Sequence, residues 1–191
     1  MTIETSLLDG TVDRRSFMKG SLTLSATALL STVGIKPAWA AIPGGRYSVS
    51  IVNQHTHETY NGLYRVGNEY LPEAFEGINY TMRDFRTAEI FPIDPRVIDI
   101  AAAIHKMSGS RKPFVLLSGY RSPKTNSMLR HEGTGVAKQS LHMSGQAMDI
   151  RLEDVPLSRL HDIAMKLRAG GVGYYARSGF VHIDSGKFRS W

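Results

Sequence analysis

The stretch His142-Met143-Ser144-Gly145-Gln146-Ala147-Met148-Asp149 limits the fold more than any other in the chain. Met148-Asp149-Ile150-Arg151-Leu152 alternates apolar and polar side chains, the pattern of a half-buried strand. If the whole stretch were one strand, His142 and Asp149 would face opposite sides, because side chains alternate. Ser144-Gly145 is a turn signal between them. The expected arrangement is a loop carrying His142, a bend at Gly145 and a strand carrying Asp149. Downstream, Phe180-Val181-His182-Ile183-Asp184 reads as another strand. On it, His182 and Asp184 share one face, and Val181 and Ile183 point the other way, into a core. Two imidazoles and a carboxylate are the donor set of a catalytic zinc site, which takes three protein ligands and keeps one position for water. His142, Asp149 and His182 are therefore the candidate ligands of one zinc ion. Spacing alone also admits a plainer reading, a hydrogen-bonded His–Asp pair.

Cysteine usage narrows the chemistry. The 191 residues include none, which excludes disulfides, thiolate ligands and cysteine nucleophiles. Any metal has to bind through His and carboxylate groups.

Residues 1–40 read as a signal rather than as part of the fold. Asp13-Arg14-Arg15-Ser16-Phe17-Met18-Lys19 matches a twin-arginine export signal, and the weakly apolar segment from Gly20 to Ile35 follows it. That segment is short of the about twenty residues a membrane span needs. Ala38-x-Ala40 supplies a small-residue cleavage site, so a cleaved signal peptide and a periplasmic product without stable membrane insertion are expected. An uncleaved anchor is the lesser alternative. The twin-arginine route carries folded proteins, so a metal could be loaded before export. Residues 41–191, 191 − 40 = 151 of them, suffice for one domain. Their charge is 19 − 14 = +5, after four basic and three acidic residues of the signal are removed from 23 and 17. A positive balance suits a polyanionic wall polymer or nucleic acid, and export argues against nucleic acid. A monomer is expected.

Along residues 41–191 the patterns predict an α+β domain, a small antiparallel sheet flanked by helices. Arg46–Val52 and Thr59–Val66 alternate as strands joined by a polar hairpin loop. His55-x-His57 in that loop is read as exposed rather than as a metal pair. Leu71, Phe75, Ile78, Met82 and Phe85 recur at helical spacing, with Glu73, Glu76, Arg83 and Arg86 on the surface. Asp94-Pro95 and Ser122-Pro123 each place a cap before a first-position proline. Phe114-Val115-Leu116-Leu117 reads as a buried central strand that delivers Ser118-Gly119-Tyr120-Arg121 to a loop. After Pro156 a helix is expected through Leu167, ended by Gly170-Gly171, followed by a hairpin of Val172–Tyr175 and Phe180–Asp184. His161 is read as a surface residue.

Four stretches occur in order: Ser118-Gly119-Tyr120-Arg121-Ser122; Ser140-x-His142-x-x-Gly145-x-Ala147-x-Asp149; Gly170-Gly171-Val172-Gly173-Tyr174-Tyr175; and Phe180-Val181-His182-Ile183-Asp184. This set resembles the D-Ala-D-Ala carboxypeptidase-related zinc peptidases, in particular their murein endopeptidase branch, whose fold is also seen in the signalling domain of hedgehog proteins. The resemblance covers nearly the whole chain. It implies a peptidoglycan-cleaving zinc enzyme whose ligands fall on His142, Asp149 and His182. It also implies that the substrates are cross-linked peptides of the wall, joined from one meso-diaminopimelate to another or from D-Ala to diaminopimelate.

One departure stands out. Members of this superfamily often carry an acidic base or a second histidine two or three residues before the third ligand. Here those positions are Phe180 and Gly179, which accept no proton. Asp184 is the candidate base by strand parity, with orientation of His182 as the equal alternative, and His131 and Glu132 are weaker options. Arg121 is the candidate oxyanion stabiliser, supported by the family's Tyr-Arg-Ser motif. Its alternative is a structural role beside the following helix. Tyr120, Tyr174 and Tyr175 either line a peptide cleft or pack. Neither Ser118 nor Ser140 sits in a Gly-x-Ser-x-Gly elbow, which sets a serine hydrolase aside. The competing functions are a carboxypeptidase trimming stem peptides and a wall-binding module that keeps the zinc without turnover.

Overall fold

The structure, a computed structural model, describes residues 44–133 and 135–191. The signal read in residues 1–40 lies outside the described residues. Strand β1 (Arg46–Asn53) pairs antiparallel with β2 (Thr59–Val66), which pairs with the short β3 (Glu69–Tyr70). Helices α1 (Pro72–Thr81) and α2 (Pro95–Ser108) then carry the chain back to β4 (Phe114–Ser118). That crossover lays β4 parallel to β1, with Ile51 opposite Phe114. Helix α3 (Pro123–His131) and a 3-10 turn over Leu141–Ser144 lead to β5 (Ala147–Arg151). Helix α4 (Leu157–Leu167) precedes the hairpin of β6 (Gly171–Tyr175) and β7 (Phe180–Asp184), and β8 (Arg189–Ser190) adds a parallel edge to β6.

The result is one eight-stranded sheet in the order β3-β2-β1-β4-β5-β7-β6-β8. The expected antiparallel sheet is corrected on two points: it is larger, and it is mixed. Strand alternation cannot reveal a parallel pairing that only a long crossover makes, nor strands of two residues. β4 lies between β1 and β5, as its unbroken apolar run requires. No described helix is long and apolar enough to cross a membrane.

Helix boundaries follow local chemistry. The Asp94 side chain accepts from the N–H of Arg96, and Gly109 closes α2 in the left-handed conformation. Ser122 accepts from the N–H of Thr125 to start α3. α1 stops earlier than the apolar spacing suggests, with Met82 as its C-cap, so Phe85 and Arg86 leave the helix. α4 is ended by Arg168 in the left-handed region, not by Gly170-Gly171. Those glycines serve close approach instead, since a Cβ on either would run into Asp184.

Alternation on the central strands sorts core from site. Met148 and Ile150 on β5, with Val181 and Ile183 on β7, join the buried cluster formed by Ile78, Ile98, Ile104, Leu160 and Ile163 of the helices. Asp149 and His182 take the opposite face. A polar knot fastens α2 to the β2–β3 end of the sheet: the hydroxyls of Tyr64 and Tyr70 donate to Asp99 at 2.8 and 2.6 Å, and Arg65 pairs with it at 3.0 Å.

Candidate metal centre

Asp149 and His182 are direct partners across the β5–β7 ladder, so their side chains leave the sheet side by side. On the other side of β5, Ser118 faces Asp149 after a register shift past Leu117. This bulge lies at the exit of β4 beside the site, where it redirects the chain. His142 arrives from the 3-10 turn, whose cap is the Ser140 side chain. Gly145 ends the turn at a φ of +66° and has no room for a Cβ against the Pro92 carbonyl. The bend predicted at Gly145 is therefore present, and it swings His142 over the strand.

The three inward atoms meet. His182 Nδ1 is 2.9 Å from Asp149 Oδ1. His142 Nε2 is 3.2 Å from His182 Nδ1 and 3.3 Å from Asp149 Oδ1. Among the described residues this is the one group of three or more His, Asp or Glu side chains placed to hold an ion. The outward nitrogens are both engaged. His142 Nδ1–H donates to the Gly119 carbonyl at 2.7 Å, which leaves Nε2 as a lone-pair donor. His182 Nε2 faces the Asp184 carboxylate at 3.1 Å, which leaves Nδ1 inward. The two rings thus present opposite nitrogens to one point.

Asp184 is fully buried. Besides His182, its oxygens accept from the N–H groups of Gly171 and Gly186 at 3.0 and 2.8 Å and from Arg189 at 2.7 and 3.1 Å. Strand parity placed it on the face of His182, and the structure does so. Its oxygens, however, point along the far side of the ring, and it does not line the cleft.

Charge follows these contacts. Burial opposes ionisation of Asp149, but the adjacent imidazoles outweigh it and hold the carboxyl well below the usual range. Burial also works against Asp184, and His182, Arg189 and the two backbone N–H groups together depress it strongly. For His182, burial disfavours the cation, yet the hydrogen bonds to Asp149 and Asp184 prevail and raise its pKa. Burial lowers the pKa of Arg121, with Asp149 opposing.

Arg121 lies beside the cluster, with Nη2 at 3.7 Å from Asp149 Oδ2 and 3.3 Å from Ser118 Oγ. Its backbone N–H donates to the His142 carbonyl at 3.2 Å, which ties the two loops together. Its Nε is buried and makes no hydrogen bond to the protein.

The cleft over these residues holds about 470 Å³. Asp149 is the one carboxylate among its described lining residues. Tyr175 lines it, stacked on Phe180 at 4.6 Å. Tyr120 is buried against Phe91 and donates to Glu89, a packing role, and Tyr174 does not line the cleft. His131 and Glu132, at the end of α3, do not line it either.

Reading by residue missed two walls. Trp191 lies with its ring 5.2 Å from that of His182 and donates to the Tyr175 hydroxyl at 2.7 Å. His55, Phe85 and Arg86 build another side. Nothing in the pattern around Trp191 signals the first; for the second, His55-x-His57 reads as an exposed loop, which gives no hint of the stacking of His55 on Phe85.

Fold and cleft together define the class: a hydrolase-type site built round a His–Asp–His cluster suited to a cation. The family is settled by comparison. The model for the M15_2 peptidases, described as peptidoglycan L,D-endopeptidase MepK, matches residues 43–191, and the chain belongs to this family. The peptidoglycan L,D-endopeptidase MepK of Escherichia coli K12 is 42% identical over 171 residues, covering 89% of this chain and 94% of that protein. The probable peptidoglycan L,D-endopeptidase MepK of Haemophilus influenzae is 38% identical over 140 residues, 73% of this chain and 75% of that one. The L-Ala D-Glu endopeptidase ChiX of Serratia marcescens aligns with 40% of this chain and 62% of its own at 17% identity and a TM-score of 0.33, too distant to bear on the fold.

Proposed function

We propose that this peptidoglycan endopeptidase uses one zinc ion, held by His142 Nε2, Asp149 and His182 Nδ1, to hydrolyse L,D cross-links from one meso-diaminopimelate to another. D-Ala-to-diaminopimelate links are the second candidate substrate. The observation that carries the reading is the mutual distance of the three donors, 2.9–3.3 Å. An ion with bonds of about 2.0–2.1 Å in a tetrahedral shell needs donors roughly 3.3–3.4 Å apart. The donors are already near that spacing. Two histidines with one carboxylate and no thiolate also suit zinc.

When bound, zinc polarises the scissile carbonyl and lowers the pKa of its water. The residues do the rest. Gly119 and Asp184 fix the tautomers of His142 and His182, so each ring offers its lone pair without rotation. Asp184 is thereby a positioning residue, since no free oxygen of it reaches the cleft. Arg121, 3.7 Å from Asp149 and largely buried, would supply fixed donors to the negative charge that grows on the carbonyl oxygen. Tyr175, Phe180 and Trp191 give the peptide an apolar wall and limit access of water.

The proposal includes export through the twin-arginine signal, cleavage after Ala40, and action as a periplasmic monomer. It is tested by digesting cross-linked muropeptides with the mature protein, with and without a chelator. Dimers should convert to monomers only in the metal-loaded protein, and His142→Ala should lose metal and turnover together. Trimming of terminal residues without dimer cleavage would instead make the protein a carboxypeptidase.

A further inference from the structure

Beyond α1 the chain stays at the cleft. Residues 82–89 run along the loop that carries Arg121, and hydrogen bonds fasten the two, three of them short. The Tyr120 N–H donates to the Met82 carbonyl at 2.7 Å, the Ser122 N–H to Asp84 Oδ2 at 2.8 Å, and the Tyr120 hydroxyl to Glu89 at 2.8 Å. The other oxygen of the buried Asp84 accepts from the N–H of Arg86 at 2.9 Å. One carboxylate therefore sets the backbone of Arg86 and that of the residue after Arg121.

The side chain is fixed as well. The Arg86 guanidinium carbon lies 4.2 Å from the centre of the Phe85 ring. The His55 ring stacks on the same ring at 3.7 Å, within 12° of parallel. Two groups so near one ring centre have to occupy its opposite faces. All three line the cleft in a layered His55–Phe85–Arg86 wall. No acid among the described residues forms an ion pair with Arg86, whereas Arg65, Arg83, Arg121 and Arg189 all have one. Arg86 is near enough to Arg121 for its charge to weigh on that residue. With Asp149 engaged by the imidazoles, the cleft is left with a cation, Arg86, that no ion pair among the described residues neutralises.

We infer that Arg86 is a specificity residue that anchors the free carboxylate lying next to the bond to be cut. The inference rests on the L,D-endopeptidase reading. An L,D bond joins the carbonyl of an L centre to the amine of a D centre. The D centre therefore keeps its own carboxyl group, one carbon from the scissile nitrogen. Arg121 faces the carbonyl, and the adjacent cation meets that carboxylate. A guanidinium already stacked on an aromatic face loses little freedom on pairing and matches a carboxylate with two parallel donors. An amide in place of the carboxylate would offer it neither charge nor two acceptors.

The test uses two synthetic cross-linked peptides that differ only in this group, a free acid and its primary amide. The mature, metal-loaded wild type, Arg86→Gln and Arg86→Lys are compared. The wild type should prefer the acid by about ten- to a hundredfold in kcat/KM, chiefly through KM, and the preference should shrink as salt is added. Arg86→Gln should bring the ratio of acid to amide to about one, and Arg86→Lys should restore part of it. An equal loss on both peptides in Arg86→Gln, or a wild type indifferent to amidation, overturns the inference while the function stands. Failure of the wild type to cut either peptide overturns the function and the inference together.

Discussion

Asp184→Asn separates two roles that strand parity could not. The substitution keeps the volume and removes the charge that faces His182 Nε2 at 3.1 Å and Arg189 at 2.7 Å. A charge-assisted hydrogen bond is about twice as strong as a neutral one, so the His182 ring loses much of what fixes its tautomer. Loss of such a partner to a metal-bound histidine costs about 10- to 100-fold in affinity, or roughly 1.4–2.7 kcal/mol. The expected result is a weaker zinc affinity by that factor in competition with a chromophoric chelator. At saturating zinc, turnover should recover to within about tenfold of wild type. The side chain is buried, so the thermal midpoint of the metal-free variant is measured in parallel to verify folding. Unchanged zinc affinity with turnover lowered a hundredfold or more would refute positioning and make Asp184 the base.

Arg121→Ala should retain zinc and lower kcat by about 10²–10³, measured under single-turnover conditions. Because His182 is protonated more readily than an ordinary histidine in the metal-free site, a bound proton has to leave before its nitrogen can bind an ion. Metal affinity should therefore fall as pH drops below the raised pKa and rise as pH climbs through it; titration calorimetry in buffers of different ionisation enthalpy should show net proton release, greater at lower pH within that window. Gly145→Ala places a Cβ at a φ of +66° and against the Pro92 carbonyl, so a loss of about 1–3 kcal/mol in denaturant unfolding and lowered metal affinity are expected. Leu116→Ala, which empties a fully buried position on the central strand, should cost about 2–5 kcal/mol in the same assay.

The sequence was most informative where a physical rule acts within a few residues. Alternation put Asp149 and His182 on strands, and the glycine after Ser144 supplied the bend that brings His142 back. The caps at Asp94 and Ser122 likewise lie where their side chains can reach the first free N–H groups. What escaped depends on partners distant in the chain. The parallel pairing of β4 with β1 is set by a crossover, not by either strand. Parity placed Asp184 near His182 but could not say which ring nitrogen it meets. Gly170 and Gly171 looked like a helix end, whereas their small size makes room for Asp184, thirteen residues beyond Gly171. Phe85 fits a helical stripe by spacing, but α1 ends before it, and its ring becomes the middle layer of a cleft wall.

Arg189 and Trp191 follow His142, Asp149 and His182 in the chain, yet one grips Asp184 and the ring of the other lies 5.2 Å from that of His182. The backbone of Trp191 is stitched to β6 by bonds of 3.1 and 3.3 Å. During synthesis these two residues leave the ribosome after His142, Asp149 and His182, so the brace on His182 is the last part of the cluster to form. A nascent chain can carry both histidines and the aspartate and still lack the brace that orients the second imidazole. Proteolytic nicking between Ser185 and Phe188 would loosen the same brace in the finished protein while leaving both histidines and the aspartate intact.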